Sequence, residues 1–172
     1  GFELAAGTAY LQQIVDSTEI PFISANIIDS KSGERLFPSH HIITEGGVTI
    51  GVIGLTNLIP THINDVKVSD FIKTGEAQIA ELKPQVDIIV VLANVNRDKN
   101  KLMNEAFTDA DYIFLSRNTV RTRPGTKQPL NGPFTYGSNI QGKYLAQVDL
   151  HISTLDSPLV DVTNLQAQLD NI

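Results

Sequence analysis

The chain has no cysteine and no tryptophan among its 172 residues, and a single methionine. Without cysteine there can be no disulfide, thiol nucleophile or thiolate metal site, and the compartment is left open. Aromatic residues make up only 6%, so platforms for stacking bases or sugars are scarce. Positive charge is also short, with 13 Lys and Arg against 19 Asp and Glu and a net charge of -6. Such a chain suits neither nucleic acid nor an anionic membrane, both of which reward a basic surface. No run of about 18 or more apolar residues occurs, so no membrane-spanning helix is expected. No leader is recognisable at Gly1-Phe2-Glu3, which reads as a trimmed or mature start.

What is present is ordinary for a globular protein: 41% hydrophobic and 19% charged residues, in a length that suits one domain with a real core. Residues 4–17 read as an amphipathic helix with Leu4, Leu11, Ile14 and Val15 near one face. Residues 21–28 form a short apolar run expected as a buried strand, and residues 29–34 a turn. Two β-prone runs flank Gly46-Gly47 and predict a hairpin over residues 41–55. Residues 57–68 read as loop. Ser69 is placed to cap a helix over residues 70–82, with Phe71, Ile72, Ile79 and Leu82 inward and Pro84 as the stop.

Residues 86–92 are a near-continuous Ile/Val run, the pattern of a strand covered on both faces. A helix is expected over residues 98–107 with Leu102, Met103 and Ala106 inward, then a second buried strand over residues 112–115. Residues 119–133 are rich in Arg, Pro and Gly and read as an exposed loop or hairpin. Residues 144–152 alternate like a strand, and Ser157-Pro158 could open a last helix reaching residue 169. This order predicts a mixed α/β domain over residues 1–153, with residues 154–172 as a terminal helix or a linker to a following domain.

Several runs, in order, carry a resemblance. They are Pro-Phe-Ile-Ser-Ala-Asn-Ile-Ile-Asp from Pro21, Gly-Glu-Arg-Leu-Phe-Pro from Gly33, and Gly-Val-Thr-Ile-Gly-Val-Ile-Gly-Leu-Thr from Gly47. The strands near Val86 and Asp111 continue the series, followed by Tyr136-Gly137-Ser138 and Gly142-Lys143-Tyr144-Leu145. Together they resemble the 5'-nucleotidase branch of the calcineurin-like metallophosphoesterases over about residues 2–152. The resemblance implies a mixed-sheet βαββα sandwich, incomplete at the N-terminal side, whose strands end in metal ligands. It implies a hydrolase chemistry in which two divalent metals clamp a phosphate and activate water. It also implies export, to the periplasm or outside the cell, and nucleotide-like substrates.

The departures fall on the ligands. The family's Asp-x-His, Gly-Asp and Gly-Asn-His-Glu motifs do not occur; Phe2-Glu3 looks like the residues just after the last of them. Where the family has Ser-His after the Val-rich strand, this chain has Ala93-Asn94. Where it has Gly-Gly-His-Ser-His, this chain has Leu115 to Thr119. The resemblance thus puts Asn94, Arg117 and Thr119 at positions that should be histidine. Asn ligates metals weakly, Thr is a poor ligand, and Arg117 is a permanent cation with no lone pair to give. No metal or catalytic residue is assigned, and no cofactor is expected.

Four histidines remain. His40 and His41 are adjacent on a strand and point to opposite faces, so they cannot chelate one ion. His62 has Asp65 three residues on, a pairing that nothing else supports. His151 is expected on a solvent face. Gly51 and Gly54 lack the Gly-Lys-Ser/Thr ending of a phosphate loop. Arg97, Arg117, Arg121, Arg123 and Lys127 cluster in the strand-end loops. They form either an anion seat or a solvated rim, and in an acidic chain the rim is favoured.

Three functions are compatible with these residues. One is a degenerate, non-catalytic phosphoesterase domain used for binding or structure. A second is part of an active nucleotide hydrolase whose other ligands lie upstream. A third is a metal-independent phosphate or nucleotide binder. The partners implied are the missing upstream half, a following nucleotidase C-terminal domain, or a second copy.

Overall fold

The structure is a computed structural model and describes residues 2–116, 120–129, 131–140, 143–155 and 157–163. The chain opens with a 3-10 turn, Phe2–Ala6, and helix α1, Thr8–Asp16. Strands β1 (Ile27–Asp29), β2 (His40–Glu45), β3 (Val48–Thr56) and β4 (Val66–Val68) follow, then helix α2 (Phe71–Leu82) and strand β5 (Ile88–Asn94). A 3-10 turn, Arg97–Lys99, leads into α3 (Asn100–Ala106), and β6 (Tyr112–Ser116) and β7 (Phe134–Gly137) complete the regular elements. No described helix is long and apolar enough to cross a membrane.

The main sheet has five strands in the order β2-β3-β5-β6-β7, and β1 pairs with β4 in a separate small sheet. Only β2–β3 is antiparallel; β3–β5, β5–β6 and β6–β7 are parallel. This is the expected mixed α/β sheet. The hairpin turns at Gly46 and Gly47, with φ 58° and 82°, a left-handed pair that two successive glycines adopt without strain.

Register assigns each side chain a face, because alternate strand residues point to opposite sides. Leu55, Ala93 and Leu115 form one paired row, and Ile53, Val91 and Ile113 another. These rows join Ile79, Leu82, Met103 and Phe107 of the α2 and α3 regions in one core cluster. On the other face, Val52, Val90, Tyr112 and Phe134 form one row, and Gly54, Leu92, Phe114 and Tyr136 the next. The N-terminal segment reaches that face: Leu4, Leu11, Phe22 and Ile23 line one cavity with Leu92 and Phe114. A smaller cluster of Leu4, Leu11, Ile27, Phe37 and Val66 gathers the N-terminal turn, α1 and the small sheet.

Several sequence expectations need correction. The first helix is broken at Gly7, whose φ of 97° is outside helical space, and Ile14 is exposed. In residues 21–28 only Ile27 and Ile28 are strand. The buried residues before them bond to loops and neighbours instead, Ser24 N–H to the Pro38 carbonyl and Ala25 N–H to that of Gly54. Residues 57–68 contain β4. The α2 cap is Asp70 rather than Ser69, its carboxylate accepting from the Ile72 and Lys73 amides.

Further along, Leu102 is exposed, while Met103 one residue on is fully buried. β5 is not covered on both faces, since Leu92 is 43% exposed. Residues 119–133 are loop where described, paired to the end of β7 by a bridge between Arg121 and Ser138. Residues 144–152 carry the alternation of a strand and belong to no sheet. Residues 157–162 are not helical, and the rest of that expected helix lies outside the described residues.

Candidate site at the strand ends

The parallel strands finish side by side. Thr56, Asn94 and Ser116 are Cα partners at the ends of β3, β5 and β6. A cavity of about 500 Å³ opens beside them, and Glu3, Phe22, Leu92, Phe114 and Ser138 also line it. This juxtaposition is a product of topology: in a parallel sheet every C-terminal end, with its loop, faces the same way.

Each strand-end side chain has a definite state. The Thr56 hydroxyl lies 2.9 Å from the Leu58 carbonyl and 3.0 Å from that of Asn94, and it accepts from the Leu58 amide at 3.1 Å. Its hydrogen-bonding capacity is used by the fold. The Ser116 hydroxyl reaches the Ala93 carbonyl at 3.4 Å. Asn94 Oδ1 differs: it is buried and has no hydrogen-bond partner among the described residues. An unpaired buried amide oxygen is costly and calls for a donor or a cation.

Asn26 braces the site from below. Fully buried, it donates from Nδ2 to the Thr56 and Ser69 carbonyls at 2.6 and 3.0 Å, and Oδ1 accepts from the Thr56 amide at 3.0 Å. It ties β3's end to the loop entering α2. In the sequence Asn26 is one amide inside an apolar run, which suits a buried polar clamp. Glu3, Ser116 and Ser138 lie in the motifs that carry the resemblance but were not assigned to a site, and it is the fold that brings them to one cavity.

Arg117 and Thr119 lie outside the described residues. Arg97 is exposed on its 3-10 turn. Arg121 and Arg123 line a different cavity of about 710 Å³, together with Tyr112, Phe134 and Tyr144. There the Arg121 guanidinium sits 4.1 Å from the centre of the Tyr144 ring. Arg121 and Arg123 therefore share a cavity, apart from Arg97 on its own turn. In that same region burial, then the neighbouring Tyr136, Asp111 and Asp161, pushes the Tyr112 phenol up to about 12.

The histidines sit apart from the strand-end cavity. His40 Nδ1 lies 3.1 Å from the Ser39 hydroxyl and 3.4 Å from Gln78 Oε1. His41 and His151 are exposed. His62 Nε2 contacts the Ala5 carbonyl at 3.0 Å, whereas Asp65 accepts from the Thr8 hydroxyl, so the two do not act as a pair.

Among the described residues no three His, Asp or Glu side chains come together to hold a metal ion. The described strand ends supply hydroxyls and one amide oxygen, with Glu3 the sole carboxylate on that cavity. That donor set does not fit a pair of divalent ions, which take carboxylates and imidazoles.

A mixed sheet flanked by helices, with its cleft at the strand ends, defines an α/β fold. Comparisons with known proteins carry this further. The chain is 27% identical over 169 residues to the uncharacterized metallophosphoesterase YunD of Bacillus subtilis, covering 94% of this chain and 35% of that protein. It is 34% identical over 88 residues to a 5'-nucleotidase of Vibrio cholerae, covering 46% of this chain and 16% of that one. The solved sulfate thiohydrolase SoxB of Thermus thermophilus superposes with a TM-score of 0.70 at 17% identity, over 82% of this chain and 27% of its own, which is a likeness of fold. No family model matches. The chain is a relative of the 5'-nucleotidase-branch metallophosphoesterases, and it spans about a third or less of the length of these curated relatives.

Proposed function

We propose that this chain is a 5'-nucleotidase-type metallophosphoesterase domain that does not hydrolyse phosphate esters and serves as a binding or structural module. The observation that carries the reading is the strand-end row Thr56, Asn94 and Ser116, which offers hydroxyls and one amide where two metals need charged or imidazole donors. The sequence adds Arg117 and Thr119 at two more of the family's ligand positions. Without metals, the fold retains no means of activating water or of neutralising a phosphate in transfer. Export from the cytoplasm and a role beside a further nucleotidase domain are part of the same reading.

The test is turnover of p-nitrophenyl phosphate and AMP by the purified chain with added manganese. The reading expects a rate indistinguishable from the blank. A rate that saturates with substrate and vanishes with chelator would overturn it.

One observation favours a second reading. The orphaned Asn94 Oδ1 is an acceptor aimed at nothing in the described residues, as a residual ligand of a hydrolase site completed elsewhere would be. Under that reading Asn94→Ala weakens manganese binding to the longer gene product at least about tenfold, the scale of losing one ligand interaction. Equal binding by both proteins would remove it. A metal-free anion module is less well supported, because Arg121 already stacks on Tyr144.

A further inference from the structure

We propose that β2 is a docking edge for a second copy of this chain, paired antiparallel to its own β2 about a two-fold axis at Ile43. The inference does not depend on whether the strand ends bind metal, because it uses the edge of the sheet.

The two edges of the main sheet differ. At one edge β7 is covered by the loop before it. The Gly137 amide donates to the Thr122 hydroxyl at 3.0 Å and the Thr135 amide to Gln128 Oε1 at 3.0 Å. The Thr122 amide donates to the Gly137 carbonyl at 2.8 Å. At the other edge β2 has no described strand on its outer side. Its outward groups can be named. Thr49 commits its amide and carbonyl to Asp87, at 2.7 and 2.8 Å, on the side away from β2. Thr44, its partner in the hairpin, therefore sits at a non-bonded position of the ladder, and alternation puts Ile42 at another. The amides and carbonyls of Ile42 and Thr44 point away from β3, with no described backbone partner.

An open row of this kind is a template for another strand, and proteins blunt it with Lys, Pro or a bulge. β2 has none of these. Its sequence is His-His-Ile-Ile-Thr-Glu, and its register with β3 is unbroken from His40 to Glu45. Residues 41–45 are all exposed, Ile42 at 38% and Ile43 at 43%.

The occupant follows from the strand's own sequence. A two-fold axis perpendicular to the sheet pairs only residues on the same face, which here means numbers of the same parity. Centred on Ile43, it sets Ile43 against Ile43 of the copy, Ile42 against Thr44, and His41 against Glu45 on both sides of the axis. Apolar meets apolar, each imidazole meets a carboxylate, and the outward groups of Ile42 and Thr44 bond each other. Centring on Ile42 would set His41 against Ile43 and leave Glu45 without a basic partner. A strand complementary to itself favours a closed dimer over an unrelated partner.

The absence of cysteine makes a single introduced thiol specific. Ile43→Cys sets two thiols opposite each other in a non-hydrogen-bonded pair, within disulfide reach. Mild oxidation is expected to convert it to a covalent dimer at least about tenfold faster than Ile42→Cys, whose thiols would lie diagonally about 7–8 Å apart. By light scattering the parent is expected to rise from 18.8 kDa toward twice that mass between about 1 and 100 µM, as suits a small interface. Ile43→Lys, with like charges opposed across the axis, is expected to stay monomeric with an unchanged circular dichroism spectrum. Should that variant misfold, the cysteine pair decides. A parent that stays monomeric at about 100 µM would overturn the proposal. Equal cross-linking of the two cysteine variants, or a folded Ile43→Lys that dimerises like the parent, would do the same. Open-ended assemblies larger than a dimer would mean a head-to-tail contact through another surface, which also overturns it.

Discussion

Val91 and Leu92 are neighbours on β5, and they meet opposite environments. Val91 is fully buried beneath the helices, whereas Leu92 is 43% exposed on the other side. The contrast extends over the sheet. One face, with Ile53, Ile113, Met103 and Phe107, is as closed as any protein interior. The opposite face ends in half-covered aromatics and a cavity. A β-strand carries two patterns at once, one per face. A closed pattern is satisfied by packing within the chain, while an open one leaves apolar surface against solvent.

The largest test of that contrast is a pair of truncations. Phe107→Ala on the closed face should cost about 3–5 kcal/mol, the range for losing a fully buried aromatic with little collapse. Leu92→Ala should cost about 1 kcal/mol or less, because much of that side chain is already hydrated. Urea unfolding of both variants measures the gap. Equal costs would mean that the second face is as well packed as the first.

A smaller effect probes how tightly the closed face is packed. A methyl added at Gly75 on α2 would lie 2.4 Å from the Phe107 ring and 2.9 Å from Leu55. Gly75→Ala gains helix propensity, but overpacking should outweigh it, for a net loss of about 1–2 kcal/mol by the same assay. Removing the α2 cap with Asp70→Ala should cost about 1 kcal/mol, since two amides lose their acceptor. Ser69→Ala should cost measurably less.

The smallest effect is a pH dependence. Burial raises the Asp111 carboxyl above its ordinary 3.8, against the opposing pull of the Ile89 amide and the Lys83 charge. A raised carboxyl favours the protonated folded state. Its stabilising contribution is therefore complete below 3.8 and is lost as pH rises through the higher folded value. Asp111→Asn keeps an acceptor for the Ile89 amide, which lies 2.8 Å away, and it removes the titration. Because the lowered carboxyls of Glu3 and Asp29 contribute with the opposite sign, the reading from thermal unfolding is the difference: the parent's Tm should fall relative to that of the variant as pH rises across that window.

Much of this fold was legible in the residues. The Gly46-Gly47 hairpin, the inward set Phe71, Ile72, Ile79 and Leu82, and the two buried strands followed from local pattern alone. What escaped was set by contacts distant in sequence. Ile/Val richness over residues 86–92 reports a capacity for burial, but only the packing shows that Leu92 goes uncovered. Residues 144–152 have a strand's alternation and no described partner, and pattern cannot create one. Ser69 and Asp70 are both good caps, and only geometry chooses between them. At the strand ends Asn94 was reached through resemblance, while Asn26 and Glu3, quoted in the same motifs, gained a role only once the chain folded back.

Whether these strand ends hold metals is decided by counting bound ions. Equilibrium dialysis of the purified chain against micromolar manganese or zinc, with bound metal measured by mass spectrometry, should find well under one ion per chain. Two ions per chain, released by mutation of Asn94, would contradict the proposed function.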